Sequence, residues 1–151
     1  MSFTNVQMFG ADAAPNPFQV DLHNFLTAAL SVQIQPRRAS QNVAVYPYVT
    51  YFLVTSTEET QLNGSSGIQE DRWQFDAFST NPLDCVVAIE QLKSTLTHYH
   101  GMVGGTEVLT ITKINEMDMP SATPIDASDD GVYGKLVEFL IVHRCPQYNS
   151  D

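Results

Sequence analysis

The chain has 151 residues, of which 17 are acidic and 7 are basic, so its formal net charge is −10. The length favours a single domain, and a hydrophobic fraction of 43% is typical of a globular protein, which excludes wholesale disorder. The acidic balance argues against a protein that grips nucleic-acid phosphates, because that task needs a surface rich in Lys and Arg.

The start of the chain has neither a basic region nor an apolar run of signal-peptide length. No stretch approaches the roughly 20 apolar residues of a membrane helix. We therefore expect a protein that is made in the cytosol, stays soluble and binds no membrane. The two cysteines, Cys85 and Cys145, are too few for a disulfide scaffold and lie in apolar runs, which predicts reduced, partly buried thiols.

Residues 1–15 show little periodicity and are predicted to be an N-terminal arm. Asn16 and Pro17 predict the start of a first helix, since Asn caps free amides and Pro suits the first helical position. Its apolar residues recur three to four positions apart, and Pro36 must end any continuation. Residues 37–42 then form a polar, basic connector.

A long hairpin is predicted next. Residues 48–54 are apolar on nearly both sides, as in a covered strand. Residues 72–77 alternate between apolar and polar, which is the period of a half-buried strand. The Asn- and Gly-rich residues 58–67 are predicted to be the loop between them.

Asn81 and Pro82 repeat the helix-start device. The apolar positions that follow predict an amphipathic second helix that ends at Gly101; they are Cys85, Ile89, Leu92, Leu96 and Tyr99. Two more strands are predicted at residues 108–114 and 132–143, with a polar loop at residues 117–131 between them.

The element order α-β-β-α-β-β predicts an α+β fold, an antiparallel sheet of about four main strands with two helices packed on one face. We assign residues 16–146 to this single domain and residues 147–151 to a C-terminal tail. The last long strand is rich in Val, Leu and Ile. At a sheet edge it would be a template for pairing with another subunit, unless its charged residues guard that edge; they are Lys135, Glu138 and Arg144.

His98 and His100, together with His143, are the most metal-like feature. Two His at this spacing diverge on a helix, no Cys or carboxylate pair supports them, and His is favoured at a helix C-terminus. Residues 126–131 are acidic but lack the ligand pattern of a calcium loop, so we predict a solvated loop. The sequence shows no nucleophile elbow and no phosphate-binding glycine loop. We therefore expect no catalytic residue, cofactor or metal.

Three segments carry a resemblance to a known family: residues 46–51 (YPYVTY) after the basic connector, residues 72–81 (RWQFDAFSTN) running into the second helix, and residues 130–133 (DGVY) leading into residues 138–142 (EFLIV). In their order and spacing, between Asp21 and Cys145, they resemble the tail-terminator, or tail-completion, family of long-tailed bacteriophages. The long lead-in before Asn16 and the extended residues 117–130 depart from the shorter family pattern.

That resemblance implies a structural virion protein and not an enzyme. Family members form a hexameric ring on the head-proximal end of the tail tube, stop tube growth and provide the surface that joins the head. The implied partners are copies of the chain itself, the tail tube protein and a head-side neck protein, and the ring is assembled in the host cytoplasm. DNA would pass through without specific binding, because a negative lumen repels phosphate. We expect Arg37, Arg38 and Arg72 at the subunit interfaces of this acidic ring.

Two alternatives stay open. Another neck component, a head-side stopper or adaptor, shares the small α+β, ring-forming character. The alternative from a different class is a small enzyme or ligand-binding domain, whose pocket would lie near His98, His100 and His143.

Overall fold

The computed structural model describes residues 17–36, 46–61, 64–122 and 132–144. Along these ranges the elements are α1 (Phe18–Ala29), β1 (Gln33–Pro36), β2 (Tyr48–Gln61), β3 (Gly64–Ser79), α2 (Pro82–Leu96), β4 (Gly101–Val103), β5 (Thr106–Ala122) and β6 (Val132–Arg144). The strands form one curled half-barrel sheet in the order β1-β2-β3-β6-β5-β4. β1 runs parallel to β2, and the other neighbouring pairs are antiparallel.

The predicted sheet of four antiparallel strands in the order α-β-β-α-β-β is therefore wrong. The described chain has six strands in a mixed sheet, because it adds β1 and β4 at the two edges. These strands have four and three residues, too few for a period-two pattern to be recognised in the sequence. Pro36, which lacks a backbone N–H, is tolerated at the end of β1 because that strand lies at an edge.

Both predicted loops contain residues that belong to strands. β5 continues to Ala122, where residues 117–131 were expected to be loop, because it stays paired with β6 along this stretch. The side chains from Ile114 to Met119 are exposed or half-buried on both faces, so burial imposes no clear alternation on this part of the sequence. β2 likewise extends to Gln61 and β3 begins at Gly64, so the hairpin loop is far shorter than residues 58–67.

α2 begins as predicted and ends earlier. Asn81 caps it, with its Oδ1 accepting a hydrogen bond from the Leu83 N–H at 3.0 Å, and Pro82 is the first helical residue. The helix stops at Leu96, and His98, not Gly101, takes the left-handed conformation that turns the chain, with φ 63°. Asn16, the predicted cap of α1, lies outside the described residues.

One face of the sheet carries the hydrophobic core. Trp73 and Phe75 of β3 lie opposite Phe139 and Val137 of β6, and all four are buried, which confirms the predicted alternation in β3. Both helices bury their apolar stripes on this face, through residues that include Leu22 and Leu26 of α1 and Ile89 and Leu92 of α2. We call it the helix-covered face. The opposite side of the sheet, which no described helix covers, is the helix-free face.

β6 lies between β3 and β5, so the last predicted strand is central to the sheet and not an edge. Pairing with another subunit through β6 is thereby excluded. The edges of the described sheet are formed by β1 and β4 and by the parts of β2 and β5 that these two short strands do not cover.

Candidate functional site

The three histidines of the metal hypothesis do not form a ligand set. His98 and His100 are exposed in the turn after α2, whereas the His143 side chain is 1% exposed and lies on the helix-covered face. Within the described ranges, no group of three or more His, Cys, Asp or Glu side chains is arranged to hold a metal ion. Residues 126–131 lie outside those ranges.

His143 instead forms a buried pair with Asp71, which is 2% exposed. The His143 Nε2 lies 2.7 Å from Asp71 Oδ2, while Oδ1 accepts from Ser56 Oγ at 2.6 Å and Gln69 Nε2 at 2.9 Å. Burial raises the pKa of Asp71, but the hydrogen bonds from these three donors outweigh burial and hold the pKa below its usual value. Phe18 stacks on the imidazole with ring centres 4.2 Å apart, so the pair anchors the start of α1.

The arrangement around Asp71 does not activate a nucleophile. Ser56 donates to the carboxylate and not to the imidazole, whereas a serine nucleophile needs a hydrogen bond to its base. Cys85 is buried, as predicted, and its Sγ donates to the Tyr133 carbonyl at 3.3 Å. Burial, followed by the negative charge of Asp84, raises the pKa of the Cys85 thiol and keeps it protonated. Cys145 lies outside the described residues.

Three lysines converge on Glu116 beside α2. The Nζ atoms of Lys113, Lys93 and Lys135 lie 2.9, 3.1 and 3.4 Å from its carboxylate oxygens. The hydrogen bond from Lys113 has the largest effect, and with Lys93 it lowers the pKa of Glu116 to about 2. Two further carboxylates, on α2 and β5, pair with the same lysines and balance the charge. The cluster therefore ties α2 to β5 and β6 and leaves no net positive charge for an anion.

Arg72, one of the residues predicted at a subunit interface, lies on the helix-free face. Its Nε donates to Glu138 Oε1 at 2.6 Å, and Asn115 Nδ2 donates to the other carboxylate oxygen at 3.1 Å. The Arg72 side chain is still 44% exposed, so it retains surface for a further contact. Arg37 and Arg38 lie outside the described residues.

The outward side of α2 is apolar in its first two turns. Leu83, Val86 and Val87 are 69%, 42% and 53% exposed. Spacings of three and four residues place them on one side of the helix, away from the buried stripe. We call these three residues the α2 ridge. Exposed aliphatic surface costs roughly 25 cal/mol per Å², so a surface that covers the ridge gains affinity.

Two clefts flank the α2 ridge. One, of about 390 Å³, lies beside Val87 and is lined by Tyr46. The other, of about 290 Å³, lies beside Leu83 and Val86 and is lined by Tyr133. The two tyrosines are 39% and 45% exposed, and Tyr is enriched at protein interfaces because it combines an apolar ring with a polar tip. Polar side chains also line the two clefts, among them Asp84, Gln91 and Lys135, so the aliphatic ridge lies between clefts of mixed character that each contain a tyrosine.

The helix-free face has a different chemistry. Thr50 and Asp76 lie opposite each other across β2 and β3, and Gln74 lies opposite Glu138 across β3 and β6. Gln74 Nε2 donates to Asp76 Oδ1 at 2.7 Å. Half-buried or exposed apolar side chains surround this polar centre, among them Leu136, Leu140 and Met117. The molecule thus presents two unlike surfaces, the α2 ridge and the helix-free face.

The α2 ridge was not predicted as a site, because sequence reasoning used only the buried stripe of the helix. The available signal was the excess of apolar residues outside that stripe. No helix in the described part of the chain is long and apolar enough to span a membrane. Comparison of the chain with protein-family models and with curated proteins finds no match.

Proposed function

We propose that this protein is a structural subunit of a bacteriophage tail, a tail terminator that forms a ring on the head-proximal end of the tail tube. In that role it stops tube growth and provides the surface to which the head-side neck protein binds. The proposal rests on the resemblance of three sequence segments to that family and on the arrangement of exposed surfaces. It assigns the protein no catalytic activity.

The observation that carries the proposal is the α2 ridge. A ring requires heterologous contacts, in which one surface of a subunit meets a different surface of the next. The α2 ridge and the helix-free face are two such surfaces, since one is aliphatic and convex and the other has a polar centre with an apolar surround. We place the ridge of each subunit in the contact with its neighbour.

The pairing of basic residues supports passage of DNA without binding. The chain has 7 Lys and Arg residues. The described ones each form an ion pair with a carboxylate of the same chain; they are Arg72, Lys93, Lys113, Lys135 and Arg144. Phosphate contacts need unpaired cations, so this part of the chain offers little to the DNA backbone. A hexamer would carry a formal charge of 6 × −10 = −60.

The deciding experiment is electron microscopy of tails made with and without this protein. Overlong tubes in its absence support a terminator. Tubes of normal length that fail to join heads identify another neck component and contradict the terminator assignment. Retention of the protein on tailless filled heads would contradict it as well.

A matched pair of variants tests the role of the ridge. Val87→Glu places a charge on the α2 ridge, and Met102→Glu places the same charge on β4 at a side chain that is 57% exposed. We expect Val87→Glu to abolish ring formation, measured by native mass spectrometry, and Met102→Glu to leave rings intact. Equal ring yields for both variants would show that the α2 ridge is not part of the subunit interface.

A further inference from the structure

Asp84 is a half-buried carboxylate beside the α2 ridge, and no Lys or Arg in the described ranges forms an ion pair with it. Its Oδ2 accepts a hydrogen bond from Ser79 Oγ at 3.3 Å. The first turn of α2, where Asp84 lies, favours a negative charge. A carboxylate accepts several hydrogen bonds, so Asp84 retains capacity for a cationic donor from another molecule.

The cleft of about 390 Å³ beside Val87 combines this carboxylate with apolar surface. Among its described lining residues, Asp84 is the one charged side chain, and Tyr46 and Val87 line the same cleft. An Arg side chain bonds a carboxylate, stacks on an aromatic ring and packs its apolar stem against aliphatic groups. The cleft offers each of these three contacts. A purely apolar occupant would instead remove water from Asp84 without replacing its hydrogen bonds.

Arg72 on the helix-free face has guanidinium surface available for such a contact. Its Nε donates to Glu138 within the chain, and no described carboxylate pairs with its other guanidinium nitrogens. The side chain is 44% exposed. Arg144 also uses its Nε, toward Glu107, but it lies at the end of β6. Arg72 lies directly opposite Leu140, beside the apolar surround of the polar centre.

The spacing of two residue pairs matches between the two surfaces. Asp84 and Val87 are three positions apart on α2, so their Cβ atoms are about 5–6 Å apart. Arg72 and Leu140 lie opposite each other across β3 and β6, where Cβ atoms are about 5 Å apart. When Arg72 reaches Asp84, Leu140 can therefore lie against Val87. A charged contact and an apolar contact are satisfied in the same arrangement.

We propose that the cleft beside Val87 takes the Arg72 side chain of a second copy of the chain, with Asp84 as its partner and Leu140 against the α2 ridge. Each Arg72 then bridges Glu138 of its own subunit and Asp84 of the next. The contact is heterologous, since a subunit gives Asp84 to one neighbour and Arg72 to the other. This inference rests on the proposed ring and names the residues that set how adjacent subunits face each other.

The experiment measures, by native mass spectrometry, the subunit concentration at which rings dissociate. Asp84→Asn and Arg72→Gln should each raise that concentration roughly tenfold, and the double variant should raise it no further, because either change alone removes the pair. Asp84→Asn leaves the Arg72–Glu138 pair of each subunit intact, so its effect reports the contact between subunits. Arg144→Gln is the matched control, since Arg144 is as exposed as Arg72 and also paired through Nε, and should change nothing.

Charge reversal tests the direction of the contact. Asp84→Arg and Arg72→Glu should each form no rings alone, whereas an equimolar mixture should form rings in which the two variants alternate, because every interface then carries one opposite pair. Urea unfolding of each variant shows whether it folds, and the neutral variants decide the matter if Arg72→Glu does not.

An unchanged ring in Asp84→Asn, additive losses in the double neutral variant, or an equal loss in Arg144→Gln would overturn the pairing. Rings that Val87→Glu abolishes but Asp84→Asn leaves unchanged would overturn the pairing and leave the proposed function intact. A wild type that forms no rings would overturn the pairing together with the ring, so the two failures are distinguishable.

Discussion

The two faces of the sheet are formed by the same strands, but their side chains are stabilised in different ways. On the helix-covered face, side chains such as Phe75 and Phe139 are fully buried beneath α1 and α2, and its Asp71–His143 pair is sealed beneath Phe18. On the helix-free face, Asp76 and Glu138 are buried among half-exposed neighbours. The first face therefore determines whether the chain folds, whereas the second is available for contacts with other molecules.

The largest loss of stability is expected when the buried carboxylate of Asp71, on the helix-covered face, is removed. Asp71→Ala removes the charged acceptor of a buried hydrogen bond and leaves the His143 imidazole buried without its partner, which costs about 3 kcal/mol or more. We expect a loss of that size in the free energy of unfolding, measured with urea by the fluorescence of the single Trp, Trp73. Asp71→Leu combined with His143→Phe should recover most of it, since both polar groups are then removed. A loss below about 1 kcal/mol would contradict the role of the pair.

Substitutions at two adjacent residues of β6 allow the stability contributions of the two faces to be compared directly. Ile141 is fully buried on the helix-covered face, and Leu140 is half-buried on the helix-free face. Ile141→Ala should lower the free energy of unfolding by about 3 kcal/mol, through lost burial and a cavity. Leu140→Ala should lower it by about 1 kcal/mol, since much of that side chain is already in water. Equal losses in urea unfolding would show that the two faces contribute alike.

The smallest loss of stability is expected from the charge cluster around Glu116, at the margin of the helix-covered face. Because the pKa of Glu116 falls from 4.5 to about 2 on folding, its contribution to stability is present above pH 4.5 and is lost as the pH drops towards 2. Glu116→Gln should cost about 1 kcal/mol at neutral pH, and the difference from wild type should vanish near pH 2. Unfolding curves at several pH values measure this. Glu107→Gln, in the exposed pair with Arg144, should show almost no effect.

Local interactions made some elements predictable. Asn81 and Pro82 mark the start of α2 because capping involves only neighbouring residues, and the stripe from Cys85 to Leu96 is buried as its spacing indicates. The limits of β5 were not predictable in this way. Its polar second half is extended because β6 pairs with it, and that partner is remote in sequence.

The candidate sites also differ in whether they depend on neighbouring residues or on residues remote in sequence. His143 could be singled out from the sequence as a candidate metal ligand, but its burial against Asp71 depends on a pairing across 72 positions. The α2 ridge, by contrast, left a signal in the sequence, since Leu83, Val86 and Val87 lie outside the buried stripe. Whether such residues are exposed depends on how the helix sits on the sheet, which the sequence of the helix does not specify.

The central position of β6 has a consequence for how the chain is made. β6 joins the β1-β2-β3 half of the sheet to the β5-β4 half, yet it is the last described element to leave the ribosome. Until residues 132–144 emerge, β3 and β5 each have an unpaired edge, and the apolar side of the sheet cannot close. The two halves of the sheet therefore cannot pair until β6 has been synthesised. We expect the nascent chain to be most prone to aggregation just before that strand emerges.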